Sequence, residues 1–224
     1  MSKLSERPAL SLLRAGAHGT RRFAPLALAL AMVPALIAPQ AAHAQFSESY
    51  KFLEAVRKKD GEKVEKALMD SSNRIVMTKD VTTGETALHI VAARRDSTWL
   101  NYLISKGAAV DARDDHGKTP LQIAVGLAWR EGVETLLGNH ANPNETDDSG
   151  ETPLITAVHN KDLQITKLLL AAGGDPDRND NSGRSARDYA LLAGKDSPIV
   201  QVIQSVVAQK GAKTAKPVYG PTFR

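Results

Sequence analysis

The sequence predicts an all-α repeat solenoid, and three observations predict it. Four glycines, Gly84, Gly117, Gly150 and Gly183, recur at intervals of 33 residues and each opens a similar phrase; a fixed period of this size marks stacked supersecondary units. Two residues after each glycine stands Thr86, Thr119, Thr152 or Ser185, where a hydroxyl can accept the free N–H groups of a first helical turn. Aromatic residues make up 4% of the chain and cysteine is absent, so cohesion falls to packed Ala, Leu, Val and Ile rather than to disulfides.

In chain order the first element is a leader, residues 1–44. A basic stretch holding Arg14, Arg21 and Arg22 precedes an uncharged run over 23–38, and Ala42-His43-Ala44 stands before Gln45. This pattern predicts a secretory signal peptide cut between Ala44 and Gln45, with Sec-type export of the product to a periplasm. An uncleaved membrane anchor is the rival, but the run is short for a span and is broken by Pro25 and Pro34. The mature chain is therefore expected to have no integral membrane span. Thr20-Arg21-Arg22-Phe23 is a poor twin-arginine signal, because the spacing to the apolar Phe is wrong.

The expected repeat domain covers 45–208. Its N-terminal cap, 49–83, places Ala55, Val56, Val64 and Leu68 at the apolar positions of a two-helix unit. The phrase of that unit would begin near Glu48, 36 residues before Gly84, which puts about three extra residues into the loop over 71–80. Three full units follow, 84–116, 117–149 and 150–182. In each, a first helix starts at the hydroxyl residue, helped by Pro120 and Pro153 at positions where a missing N–H loses nothing. Ala92, Ala124 and Ala157 give it a slim flank. The second helix carries Leu100, Leu103 and Ile104, then Val133, Leu136 and Leu137, then Ile165, Leu168 and Leu169, an apolar stripe at helical spacing. Gly107, His140 and Gly173 close it in a left-handed conformation, which for His140 costs on the order of 1 kcal/mol. The C-terminal cap, 183–208, replaces an apolar residue by Arg187, as suits a terminal unit facing water. The tail, 209–224, carries Lys210, Lys213, Lys216 and Arg224 with few apolar side chains and is expected to be disordered.

These phrases, met most fully over 84–92, 117–124 and 150–157, are similar to the Gly-x-Thr-Pro-Leu-His-x-Ala signature of the ankyrin repeat family. The resemblance implies a hairpin-like turn and two antiparallel helices per unit, stacked so that each unit buries its stripe on its neighbours. It also implies that His89, at the signature His, links neighbouring loops, and that a protein partner is met through the turn tips and the concave face of the first helices. Carried onto this chain, the tip positions are Asp115, His116 and Lys118, then Asp148, Ser149 and Glu151, then Asn181 and Arg184, with Ser182 beside them. The helix positions are Arg94, Leu127, His159 and Asn160, with Trp129 added as a large apolar group near the groove. Trp129 packing between the two helices of its unit is the competing reading, and Trp99, on a second helix, is read as packing.

Composition excludes several function classes. The leader holds five of the 29 basic residues and one of the 25 acidic ones, leaving 24 of each and a mature net charge of zero, so nucleic acid is not indicated. The tail contributes plus four, leaving minus four on 45–208. His89, His116, His140 and His159 share no metal-ligand spacing. No calcium loop, phosphate-cradling glycine loop or nucleophile elbow occurs, so no cofactor is called for and catalysis is not expected. Asp114-Asp115 and Asp147-Asp148 suit the backbone donors of turns better than a cation. Asn144-Glu145-Thr146 matches a glycosylation sequon, although Asn144 also fits its turn. The leading expectation is an exported, non-enzymatic protein-binding module. The alternatives are a hydrolytic or metal-dependent enzyme using His89, His116 or His159, and an envelope-associated protein held through weak contacts of its basic tail.

Overall fold

The computed structural model describes residues 38–71 and 74–214, with side chains over 48–71 and 74–209. Most of the expected leader and residues 215–224 of the expected tail lie outside the described residues. Among those described there are ten α-helices: α1 (Ala38–Lys58), α2 (Gly61–Asp70), α3 (Ala87–Ala93), α4 (Ser97–Ser105), α5 (Pro120–Gly126), α6 (Arg130–Gly138), α7 (Pro153–His159), α8 (Leu163–Ala171), α9 (Ala186–Leu192) and α10 (Pro198–Thr214). A short 3-10 helix, Arg74–Met77, follows α2. The all-α repeat solenoid is thus the observed architecture.

The odd-numbered helices pack side by side in one layer, and each even helix lies behind its odd partner. The core runs between the layers. Leu88, Val91 and Ala92 of α3 meet Leu121, Ala124 and Val125 of α5, then Leu154, Ala157 and Val158 of α7, with Leu100, Leu103, Val133, Leu136, Ile165 and Leu169 closing it from behind. Burying each large aliphatic side chain contributes about 1.5–3 kcal/mol. In the third unit the register differs from the expected stripe: Leu168 is partly covered, while Thr166 and Leu170 are buried. Thr166 stands 33 residues past Val133, and its hydroxyl donates to the Asp162 carbonyl at 2.7 Å, which satisfies the polar atom inside the core.

Helix starts follow the hydroxyl signals. Thr119, Thr152 and Ser185 accept from the backbone N–H three residues on, and Pro120 and Pro153 occupy the first helical turn. His140 has φ 66° and shares the left-handed conformation of Gly107 and Gly173. A second left-handed series, which the sequence reading missed, lies between the paired helices at Lys59, Arg95, Ala128 and Lys161. It reverses the chain through paired bonds such as Asp96 N–H to the Val91 carbonyl and Arg95 N–H to the Ala92 carbonyl. Lys59 precedes Arg95 by 36 residues where the other intervals are 33, which locates the extra residues between α2 and α3. One of them lies in the first tip, which pairs Asp80 with Glu85 across one residue more than Asp114 and Lys118 span in the second.

The two ends depart from the expected units. Residues 45–50 contain no Gly or Pro, so no hairpin forms near Glu48 and α1 runs unbroken from Ala38 through the expected cut. At the other end α10 continues to Thr214, so the helix extends into the first residues of the expected tail.

Candidate partner-binding face

The side of the odd helices turned away from the even layer leaves a front face. It presents Ile90 and Ala93 from α3, Ile123 and Gly126 from α5, Thr156 and His159 from α7, and Tyr189 and Leu192 from α9. The strip is apolar over α3 and α5 and polar to aromatic over α7 and α9, ending in Leu192 at 71% exposure. Along its edge, one residue past each tip glycine, stand Glu85, Lys118, Glu151 and Arg184, alternating in sign.

Side-chain and backbone bonds between units set the spacing of this ladder. The Lys118 carbonyl accepts from His89 Nε2 at 2.9 Å, and the Glu151 carbonyl from Gln122 Nε2 at 2.9 Å. The tips are stitched as well: Asp115 N–H donates to the Thr83 carbonyl, Asp148 N–H to that of His116 and Asn181 N–H to that of Ser149. Gly117 and Gly150 lie in the left-handed region, and a side-chain carbon there would stand 2.5 Å from Asp148 Oδ1 and 2.6 Å from Asn181 Oδ1. Glycine at these turns therefore serves both the turn and the approach of the next unit.

Several ladder side chains reach the helix ends. Glu151 Oε1 lies 3.1 Å from His159 Nδ1, and Arg57 at the end of α1 lies 3.7 Å from Glu85. His159 meets Tyr189 edge to face at 4.4 Å between centroids, while the Arg184 guanidinium stands 5.9 Å from the same Tyr189 ring. The Tyr189 hydroxyl donates to Asp180 Oδ2 at 2.7 Å. Hydrogen bonds from the Ser182 and Tyr189 hydroxyls hold the Asp180 carboxyl well below the usual carboxylate range. His159 and Arg184 thus converge on Tyr189, and Glu151 joins them through His159. The sequence reading missed Tyr189; its signal was an aromatic residue at the position that holds Ile90, Ile123 and Thr156 in the other units.

The remaining expected contact residues divide into two groups. His116 and Lys118 are exposed, and Lys118 makes no ion pair among the described residues. Asp115, Asp148 and Asn181 are exposed but also hold the tips together, Asn181 through a 2.9 Å bond to the Asp148 carbonyl. Ser149 is folded back on Asp147 at 2.6 Å. Asn160 donates to the Val125 carbonyl at 3.3 Å, and half-buried Leu127 ends α5 with its carbonyl accepting from Arg95.

Two residues leave the surface. Arg94 turns inward, donating to the Val56 carbonyl at 2.5 Å and lying 5.7 Å from the Trp99 ring, because the end of α1 offers free carbonyls. Trp129 is buried at 8% exposure. It occupies the position filled by the capping residues Asp60, Asp96 and Asp162 in other units, and its ring covers the space left by Gly132.

The histidines do not share a site. His89 is buried; its Nδ1 accepts from Thr86 N–H at 3.1 Å, so Nε2 carries the proton donated to Lys118. Desolvation lowers its pKa below the ordinary value. Among the described residues no group of three or more His, Asp or Glu side chains is disposed to hold a metal ion. Asp114, Asp147 and Asp180 each spend one carboxylate oxygen on N–H groups two and four residues ahead, as in Asp114 to His116 and Lys118. Asn144 of the sequon bridges units, donating to the Gly173 carbonyl and accepting from Asp175 N–H. No described helix is long and apolar enough to cross a membrane.

Paired helices stacked in register behind one open face define a helical repeat scaffold of the kind that binds other macromolecules. Two models of ankyrin repeats match the chain, one built on three copies over residues 52–144 and one on many copies over 136–190. The chain belongs to the ankyrin repeat family, whose members are generally protein–protein interaction modules. No curated protein matches it.

Proposed function

We propose that the chain is a non-enzymatic module that binds a protein partner along its front face. The observation that carries this reading is the charge ladder Glu85, Lys118, Glu151 and Arg184, fixed by interunit bonds beside an uncovered strip running from Ile90 to Leu192. A partner would place apolar groups over α3 and α5 and a polar or acidic group at Arg184, His159 and Tyr189. Rigid stitching of the tips keeps the ordering cost of binding low.

The test is affinity capture with the wild type and with two variants, Leu127→Asp plus Tyr189→Ala on the front and Glu134→Ala plus Lys167→Ala on the back. Loss of the captured partner with the front variant alone supports the reading; equal capture by both removes the front face from it.

The proposal includes export, with cleavage between Ala44 and Gln45. It is supported by the leader pattern, a basic stretch, an uncharged run over 23–38 and Ala42-His43-Ala44 before Gln45. Mass spectrometry of the chain from a fractionated cell tests it, an N-terminus at Gln45 being expected and an uncut cytoplasmic product contradicting it.

A further inference from the structure

The back of the stack holds a second feature, independent of the front face. Between α2 and α4 lies a cavity of about 280 Å³ lined by Gly61, Glu65, Thr98, Trp99 and Tyr102. It opens there because α2 packs less closely on α4 than α4 does on α6. The Trp99 and Tyr102 rings stand 6.0 Å apart at 76° to one another, edge to face, and both line the cavity. Glu65 is the one charged group in the lining, and it forms no ion pair among the described residues.

We propose that this cavity binds the quaternary ammonium group of a small solute. A methylated cation gains from the negative face of an aromatic ring and from a carboxylate, and its methyl groups lose little hydration on entry. Both rings already attract cations: Arg94 lies 5.7 Å from the Trp99 centroid and Lys106 5.3 Å from that of Tyr102. Neither lines the cavity, so it has no cation of its own. The side chain of Gly61 is missing where a larger residue would narrow the entrance, and nothing lies within 4 Å of the position of its absent carbon. The Thr98 hydroxyl suits the alcohol of choline.

The feature is peculiar to this junction. At the next one the corresponding residues are Ser97, Asn101, Glu131, Gly132 and Thr135, with no ring among them. The aromatic pair packs against the core and also leaves ring surface at this junction that the next one does not offer at the same positions.

Two-dimensional NMR of the chain tests the proposal, because Trp99 and Trp129 supply its two indole N–H signals. Tetramethylammonium and choline should shift the Trp99 signal and saturate at about 1–10 mM in low salt, leaving Trp129 unmoved. The neutral isostere 3,3-dimethyl-1-butanol should bind at least about tenfold more weakly. Glycine betaine should also bind less well than choline, since its carboxylate meets Glu65. Glu65→Gln should weaken choline about fivefold with both indole signals in place, and Tyr102→Leu should abolish saturation. Phosphatidylcholine vesicles assign the source: co-sedimentation together with the Trp99 shift points to a lipid headgroup, and the shift without it to a free solute. Equal response to the isostere or to sodium chloride, absence of saturation, or unchanged affinity in both variants would overturn the assignment.

Discussion

The imidazole of His159, at the end of α7, rests edge to face on the ring of Tyr189 from α9, 4.4 Å between centroids. This contact joins two units on the front face and draws Glu151 and Arg184 to the same place. Tyr189→Phe keeps the ring and removes the 2.7 Å bond to Asp180. The expected loss is about 0.5–1 kcal/mol of stability at neutral pH, read from urea unfolding. Asp180 has a folded pKa below its unfolded value, so its contribution is full above the unfolded pKa of about 4, declines below it and is lost as pH falls through the lower folded pKa. The stability gap between the two proteins should therefore close on acidification, and a gap independent of pH would contradict the assignment.

His89 offers a pH effect of the same sign from a different group. Its pKa is lowered by burial, so the unfolded chain takes up a proton first as pH falls below about 6.5, and stability declines from there. Gln122, one unit on, makes the same pair of contacts without titrating, bonding Thr119 N–H and the Glu151 carbonyl. His89→Gln is expected to hold stability at pH 7.5 within about 1 kcal/mol and to flatten the decline between pH 7 and 5. Denaturation midpoints across that range check it; an unchanged slope would show that His89 is not the titrating group.

The tip glycines differ in what lies beyond them. Gly150 and Gly183 have φ of 79° and 80°, but a side-chain carbon at Gly150 would meet Asn181 N at 2.7 Å, while nothing stands within 4 Å at Gly183. Gly183→Ala should cost about 1 kcal/mol for the left-handed conformation alone. Gly150→Ala should cost about 2 kcal/mol or more, because the next tip must also move. Equal losses in thermal unfolding would contradict the stacking role.

Trp129 and Gly132 form an exchange at the start of α6, since a side-chain carbon at Gly132 would overlap the Trp129 ring. Gly132→Ala, which in an open helix would gain about 1 kcal/mol, is expected to destabilise by about 1–3 kcal/mol. In a Trp129→Ala background the same change should become neutral or stabilising. A double-mutant cycle measures the coupling, and additivity would remove the packing account.

These residues also show what the sequence made legible. The period of Gly84, the hydroxyl caps and the apolar stripes predicted the helices because those features are local and repeat. Lys59, Arg95, Ala128 and Lys161 escaped because a left-handed turn between paired helices was filled by four ordinary side chains rather than by glycine. Arg94 was expected at the partner surface, and Trp129 either there or packed between the helices of its unit, since sequence gives position on a helix but not what covers it. Tyr189 was missed for the converse reason: its importance comes from His159, Asp180 and Arg184, which approach it only after stacking.

The central claim, that the front face meets a protein, is tested most directly by photo-crosslinking. A photoreactive residue is placed at Lys118, Glu151 or Arg184 on the ladder, or at Glu134 or Lys167 on the even helices, and the covalent products are resolved by mass spectrometry. Adducts between the captured partner and the ladder positions, with none from Glu134 or Lys167, are predicted. Adducts from the even helices alone, while the partner is still captured, would contradict the account.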